Sequence, residues 1–249
     1  MMVGIIGAMN CEVDQVIEKM NIINTSDIAM MKFYMGTLKG VNIVVVCCGI
    51  GKVNAAIGTQ LLIDRFNVSY IINTGVAGAI SEELDIGDVV ISNDVTYHDF
   101  DPLQLVRSYP WMPDIFIKAD DELIKISQKA CESIPIIKKV YVGRIVSGDK
   151  FLSDSEEKKV ICSRLSAHCI EMEGASVAHV CYVNMVPFII IRSISDKADD
   201  SASISFREFL KTVSEQSNHI ICNIIGELKD FMTQITEVNI SDVCWGSKK

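Results

Sequence analysis

Short runs of consecutive apolar residues, each of strand length, do most to limit what this chain can become. They are Val3–Ala8 (VGIIGA), Ile43–Cys48 (IVVVCC), Tyr70–Gly75 (YIINTG), Asp88–Ser92 (DVVIS), Val140–Val146 (VYVGRIV) and Pro187–Ser195 (PFIIIRSIS). A strand with one wet face alternates polar and apolar residues, whereas a run without alternation is a strand covered on both faces. Between the runs lie amphipathic stretches of helical length: Cys11–Met20, Val53–Phe66, Asp120–Glu132, Ser155–Leu165, Gly174–Asn184 and Ser205–Phe231. Strand and helix in alternation predict an α/β domain with a mostly parallel sheet. Segment Ile28–Leu38, with Gly36 and Gly40 near its turn, predicts an added antiparallel strand or hairpin. The pattern fades late in the chain, so one domain is expected over 1–232 and a polar tail over 233–249.

Charge and composition narrow the partners. A net charge of -9 repels a polyanion on average, so neither DNA nor RNA is expected as the main partner. Mean hydropathy is high, at +0.29, yet the long uncharged run Phe66–Ser81 is broken by Asn67, Asn73 and glycines. Nothing reaches the roughly 18 to 20 apolar residues of a membrane span. The first residues, MMVGIIGAMNCEV, lack the basic segment and cleavage site of a secretory signal. A cytoplasmic globular protein with a buried sheet and a buried subunit interface is expected. The nine cysteines contain no C-x-x-C pair, and Cys47, Cys48, Cys181 and Cys222 sit in apolar stretches as small hydrophobes.

Familiar ligand motifs fail one by one. Gly51-Lys52 has Val46 where a phosphate-binding loop needs its first glycine, and Val53 where it needs Ser or Thr. A dinucleotide fingerprint fails at Asn54. Neither a G-x-S-x-G elbow nor an H-E-x-x-H helix is present, and Tyr97-His98-Asp99-Phe100-Asp101 is too sparse for a metal site. No metal and no organic cofactor are expected. Turns are expected at Gly7, Gly49–Gly51, Gly75–Gly78 and Gly148, each following an apolar run, where an open α/β sheet binds its ligands.

Carboxylates at the ends of these runs carry more information. Glu12 lies in the first helical turn after GIIGAMNC. Glu171-Met172-Glu173 opens the helix GASVAHV. Asp196 closes PFIIIRSIS, and with Arg192 it is expected to form a charged pair at the rim of the sheet. Each also has a bland reading, as a partner of a helix dipole or as an ion pair.

Taken in order, GIIGAM with Glu12, GIGKVNAA, NTGVAGA, SGDKF, EMEGASVAHV, and RSISDKAD with SFREFL resemble the 5'-methylthioadenosine/S-adenosylhomocysteine nucleosidases of the nucleoside phosphorylase superfamily. The resemblance runs from Val3 to about Leu228 and implies a single three-layer domain. Its central sheet would be mixed and partly barrel-like, flanked by helices, in a homodimer. It implies hydrolysis of the N-glycosidic bond of 5'-methylthioadenosine and S-adenosylhomocysteine, and of 5'-deoxyadenosine, releasing adenine and a 5-substituted ribose. By the same resemblance Asp196 is the general acid and Glu12 positions or deprotonates the water. Glu173 holds the ribose hydroxyls, with Glu171 and Arg192 supporting the water site. Phe151 stacks on adenine and the Leu152 backbone reads its edge. Met9, Ile50, Met172 and Phe206 line the 5' pocket, and Ala8, Gly78 and Ser195 complete the lining. Pro102, Leu105 and Pro113 reach into the neighbouring subunit's pocket.

Two positions depart from the family pattern. Val76 stands where the family commonly has Ser, and the loop from Asp101 to Tyr109 differs in its side chains, which bears on 5' specificity. Three alternatives use the same scaffold. A purine nucleoside phosphorylase would need early arginines, and none precedes Arg65. An aminofutalosine nucleosidase would need a cation for a 5' carboxylate, for which Arg107 is the one hint. A storage or binding protein would be expected to lose Glu12, Glu173 and Asp196, and all three remain.

Overall fold

The apolar runs form the middle of a ten-stranded mixed sheet in the computed structural model. It describes the chain except for residues 102, 103, 105, 106, 108–111, 113, 136 and 246–249, and except for the side chains of 232 and 234–245. The expected neighbour-subunit residues Pro102, Leu105 and Pro113 therefore lie outside the described residues, as does the Trp245 side chain.

Strand β1 (Met2–Gly7) lies between β4 (Val41–Cys47) and β5 (Tyr70–Ala79), parallel to both. β3 (Met31–Leu38) pairs antiparallel with β4, and β2 (Asn21–Ile28) with β3, so β2 is the outer edge. On the other side of β5 the sheet curls and closes. β10 (Phe188–Asp196) pairs parallel with β5 and antiparallel with β6 (Val89–Tyr97). β6 pairs with β8 (Val140–Ser147), β8 with β9 (Cys169–Glu171), and β9 returns to β5. Five strands thus make a barrel-like ring, and β7 (Ile117–Lys118) is appended to β6. Closure removes edges that would otherwise expose unpaired backbone groups.

Helices cover the sheet. α1 (Asn10–Lys19) and α3 (Asp121–Glu132) pack on α6 (Ala202–Trp245), which lies along β5 and β10. α2 (Lys52–Phe66) packs on α5 (Gly174–Val183), and α4 (Ser155–Leu165) covers a smaller apolar cluster with Ile80, Leu152 and Ile170. The Asp120 and Asp154 carboxylates cap α3 and α4 by accepting from the N–H groups two and three residues on. The main core runs through the sheet. Ile5, Ile6, Val44, Val45, Ile72, Ile189, Ile190 and Ile191 are wholly buried, each side chain contributing about 1.5–3 kcal/mol.

The structure corrects several expectations. The Gly75–Gly78 segment is strand rather than turn, since β5 continues to Ala79. β6 continues past Ser92 to Tyr97. β2 is a full strand, so the hairpin begins at Asn21 rather than Ile28; its turn places Ala29 and Met30 at positive φ. Residues 233–245, expected as a polar tail, continue α6.

Candidate active site

Strand ends and helix starts converge on one cavity of about 330 Å³. β1 delivers the chain through Ala8 and Met9 into α1, and Glu12 turns back over this entry. Glu12 Oε2 accepts from the N–H of Ala8 (2.8 Å) and of Met9 (2.9 Å), the reciprocal half of a capping box. Its Oε1 accepts from the Val76 N–H on β5 (3.1 Å). Val76 serves Glu12 through its backbone, so this bond does not depend on Ser or Val standing there. Burial pushes the Glu12 carboxyl above the ordinary range, while the Arg192 cation and the three N–H donors pull the other way.

Asp196 ends β10, where the register with β5 shifts between Ile194 and Asp196. Its Oδ2 accepts from the Ser195 hydroxyl (2.8 Å) and its Oδ1 from the Ala198 N–H (2.8 Å). Ala198 is held at φ 50°, a left-handed conformation that costs a non-glycine residue about 1–3 kcal/mol. Burial raises the Asp196 carboxyl and so favours its neutral form.

Glu173 stands at the start of α5 and reaches across to α2, where its Oε1 accepts from the Gly51 N–H (2.8 Å). Gly51 has φ 99°, a conformation that favours glycine. Burial, with Glu171 close by, pushes Glu173 up to about 8. Glu171 is fully engaged. It accepts from the Ser147 hydroxyl, the N–H groups of Glu173 and Gly174, and the Arg192 guanidinium.

The apolar lining expected from the sequence is assembled as a set. Ala8, Met9, Ile50, Val76, Gly78, Phe151, Met172, Ser195 and Phe206 all face the cavity with Glu12, Glu171, Glu173 and Asp196. Phe151 and Phe206 meet edge to face, ring centroids 5.6 Å apart. Leu152 lines a small annex of about 30 Å³ between Phe151 and Asp196. Two lining residues were not anticipated, Ala77 and Ile170. Both lie beside residues the sequence does mark, Gly78 and Glu171, but a small or apolar residue within a strand gives no signal of its own.

Arg192 departs from its expected place. It is buried beneath the cavity rather than lining it, and it pairs with Glu171, with the Glu173 carboxylate 4.0 Å away. The expected Arg192–Asp196 pair is not formed. In the loop after β6, Asp99 is taken by Lys52 (2.7 Å) and by the Asp149 N–H (2.9 Å).

Residues 2–226 match the phosphorylase superfamily. The 5'-methylthioadenosine/S-adenosylhomocysteine nucleosidase of Staphylococcus haemolyticus (strain JCSC1435) is 43% identical over 234 residues, which span 91% of this chain and 100% of that relative. The chain belongs to the 5'-methylthioadenosine/S-adenosylhomocysteine nucleosidase family. A solved nucleosidase of this family from Colwellia psychrerythraea 34H, in complex with adenine, superposes with a TM-score of 0.86 at 37% identity, covering 92% of this chain and 96% of that one. The futalosine hydrolase of Helicobacter pylori strain 26695 is also similar, with a TM-score of 0.83 at 31% identity, covering 91% of this chain and 97% of that one.

Proposed function

We propose that the chain hydrolyses the N-glycosidic bond of 5'-methylthioadenosine and S-adenosylhomocysteine, and also of 5'-deoxyadenosine. The observation that carries this reading is the charge of the cavity. Among the described residues its lining holds four carboxyl groups, Glu12, Glu171, Glu173 and Asp196, and no cationic side chain. Such a cavity repels phosphate and suits a neutral nucleoside attacked by water, which sets phosphorolysis aside on this scaffold.

The chemistry divides between two buried carboxyl groups, Asp196 and Glu12, both pushed up by burial, with the Arg192 cation pulling Glu12 back down. As the C1'–N9 bond breaks, electrons pass to the purine and positive charge grows on the sugar. Neutral Asp196 gives its proton to N7 of the leaving adenine. Glu12 orients a water molecule and takes its proton as the oxygen bonds to C1', so the products are adenine and a 5-substituted ribose. Ionised carboxylates close to the sugar stabilise its positive charge in a medium that water screens little. Glu173 is placed for the ribose hydroxyls, Phe151 for stacking on the base, and Met9, Ile50, Met172 and Phe206 for the 5'-thio group. The backbone at Leu152 reads the purine edge, and Glu171 acts by fixing Arg192 rather than by touching substrate.

Apolar side chains beside the cavity mouth support a homodimer. Ile50 precedes α2, Val53 and Ile57 lie on α2, Val183 ends α5 and Met185 follows it, and all are exposed on helices that pack together. Pro102, Leu105 and Pro113 of the neighbouring subunit would then close the 5' end. No helix among the described residues is long and apolar enough to cross a membrane, in keeping with a cytoplasmic enzyme. Incubation with methylthioadenosine, with and without phosphate, tests the reading: adenine and free methylthioribose should form at a rate phosphate does not change. Methylthioribose 1-phosphate as the main product overturns it, and a strong preference for aminofutalosine reassigns the substrate.

A further inference from the structure

Asn73 lies on β5 outside the cavity, 1% exposed, and the reaction as described makes no use of it. Its carboxamide is bonded at both ends. Nδ2 donates to the Ile6 carbonyl on β1 (2.9 Å), and Oδ1 accepts from Arg192 Nη2 (2.6 Å). A flipped amide would set its NH₂ against the guanidinium and its oxygen against a carbonyl, so the orientation is unique. Arg192 Nη2 is shared with Glu171, Nη1 donates to the Ile191 carbonyl (3.0 Å), and the buried Nε has no partner among the described residues. Asn73 is thus the neutral side chain that aims the cation.

The same residue is tied to the Glu12 loop. Ile6 leads through Gly7 to Ala8 and Met9, whose N–H groups hold Glu12. Two and three residues beyond Asn73 come Gly75 and Val76. A β-carbon on Gly75 would lie 2.7 Å from Glu12 Oε1 and 3.4 Å from Arg192 Nη1, so oxygen and guanidinium face each other across this glycine. Ionisable groups close to Glu12 include Arg192 and Asp196 from β10, Glu171 from β9, Glu173 from the start of α5, Cys47 at the end of β4, Cys48 just after it, and Cys11 on its own helix. Arg192 is the cation among those named.

We propose that Asn73 is a positioning residue that holds the Arg192 guanidinium where its charge favours the carboxylate form of Glu12 that takes the proton of water. Asn73 itself never meets the substrate. The inference rests on the reading of Glu12 as the acceptor of that proton.

The pH profile of kcat/KM for methylthioadenosine tests it, measured well below each variant's melting temperature. Asn73→Ala removes the aim, and Asn73→Asp keeps the shape but places a negative charge against the guanidinium. Both should move the acid limb upward by about 0.5–1 pH unit, in the sense expected when a carboxylate loses a nearby cation. Well below the limb, kcat should then fall about 3- to 10-fold, the factor that a shift of about 0.5–1 unit gives, while KM changes little, as for an interaction made in the transition state. A purely structural role lowers the melting temperature and leaves the acid limb in place. Two variants with the wild-type limb overturn the proposal. Glu12→Gln separates the failures: if it is inactive while the Asn73 variants keep the wild-type limb, only the Asn73 inference falls. If Glu12→Gln hydrolyses normally, the Glu12 reading falls and the inference with it.

Discussion

Gly78 and Asp196 stand so close across β5 and β10 that a β-carbon on the glycine would come within 2.7 Å of the carboxylate Oδ1. The same β-carbon would meet Ala198 Cβ at 2.9 Å. Gly78 has no positive φ among the glycines that do; it is needed for lateral room. Gly78→Ala should push Asp196 and the Ala198 turn outward. Overpacking of this kind costs about 1–3 kcal/mol, and at this chain length each kcal/mol lowers Tm by about 2–4 °C. Steady-state kinetics should show the loss mainly in kcat. A variant with wild-type kcat and Tm would show that the site yields freely at this point.

Asp196→Asn keeps the shape and removes the transferable proton. A lost general acid costs about 10²- to 10⁴-fold in rate, while binding of a substrate analogue should change little, since Phe151 and Glu173 are untouched. Single-turnover rates and inhibitor affinities, measured side by side, separate the two. Because Arg192 pairs with Glu171 rather than with Asp196, lost activity in this variant cannot be charged to a broken Arg192 ion pair.

Glu173 is pushed above its ordinary 4.5 to about 8 by burial, and Glu12 moves in the same direction. Between the unfolded and folded values the native chain holds more protons than the unfolded one. Stability therefore falls as pH rises through that window. His98, His168 and His179, held below their ordinary range by burial, act in the opposite sense. The readout is therefore the difference between wild type and Glu173→Gln: in thermal melts the wild-type Tm should fall relative to the variant between pH 6 and pH 8. A Tm difference that stays constant or reverses over this range would contradict the raised Glu173.

Val53 and Met185 are exposed on the joined α2–α5 face, at 69% and 89%. A carboxylate at either position, Val53→Asp or Met185→Asp, should weaken a dimer formed there while leaving the fold intact. Light scattering should show a shift toward single chains, with specific activity falling on dilution. Unchanged mass in both variants would move the interface elsewhere.

How much of this was legible in the sequence depended on what each residue was answering to. β1, β4 and β10 were plain because both faces are covered, so each carries a run of consecutive apolar residues. β2 was not: NIINTSDI is largely exposed and is held by pairing with β3 rather than by burial. β9 has three residues and exists because β5 and β8 flank it. The Gly75–Gly78 stretch looked like a turn because glycine signals both unusual φ and close approach, and here the second applies. The carboxylates were visible because charge at the end of an apolar run is conspicuous. The grip on Arg192 was not, because Asn73 and Ser147 lie within strands and their partners are distant in sequence. The expected Arg192–Asp196 pair fails for a simple metric reason. Four residues of strand span roughly 13 Å.

β5 is bonded along its length to β1, β9 and β10, and it meets both reacting carboxyl groups within one short stretch. Gly75 and Val76 set the seat of Glu12, and Gly78 sets that of Asp196. The proposed acid and base are thus gauged against a common rail, three residues or about 10 Å long. A drift of the barrel carries both stops together and leaves their spacing alone. On that reading proton donor and proton acceptor keep step without any joint between them.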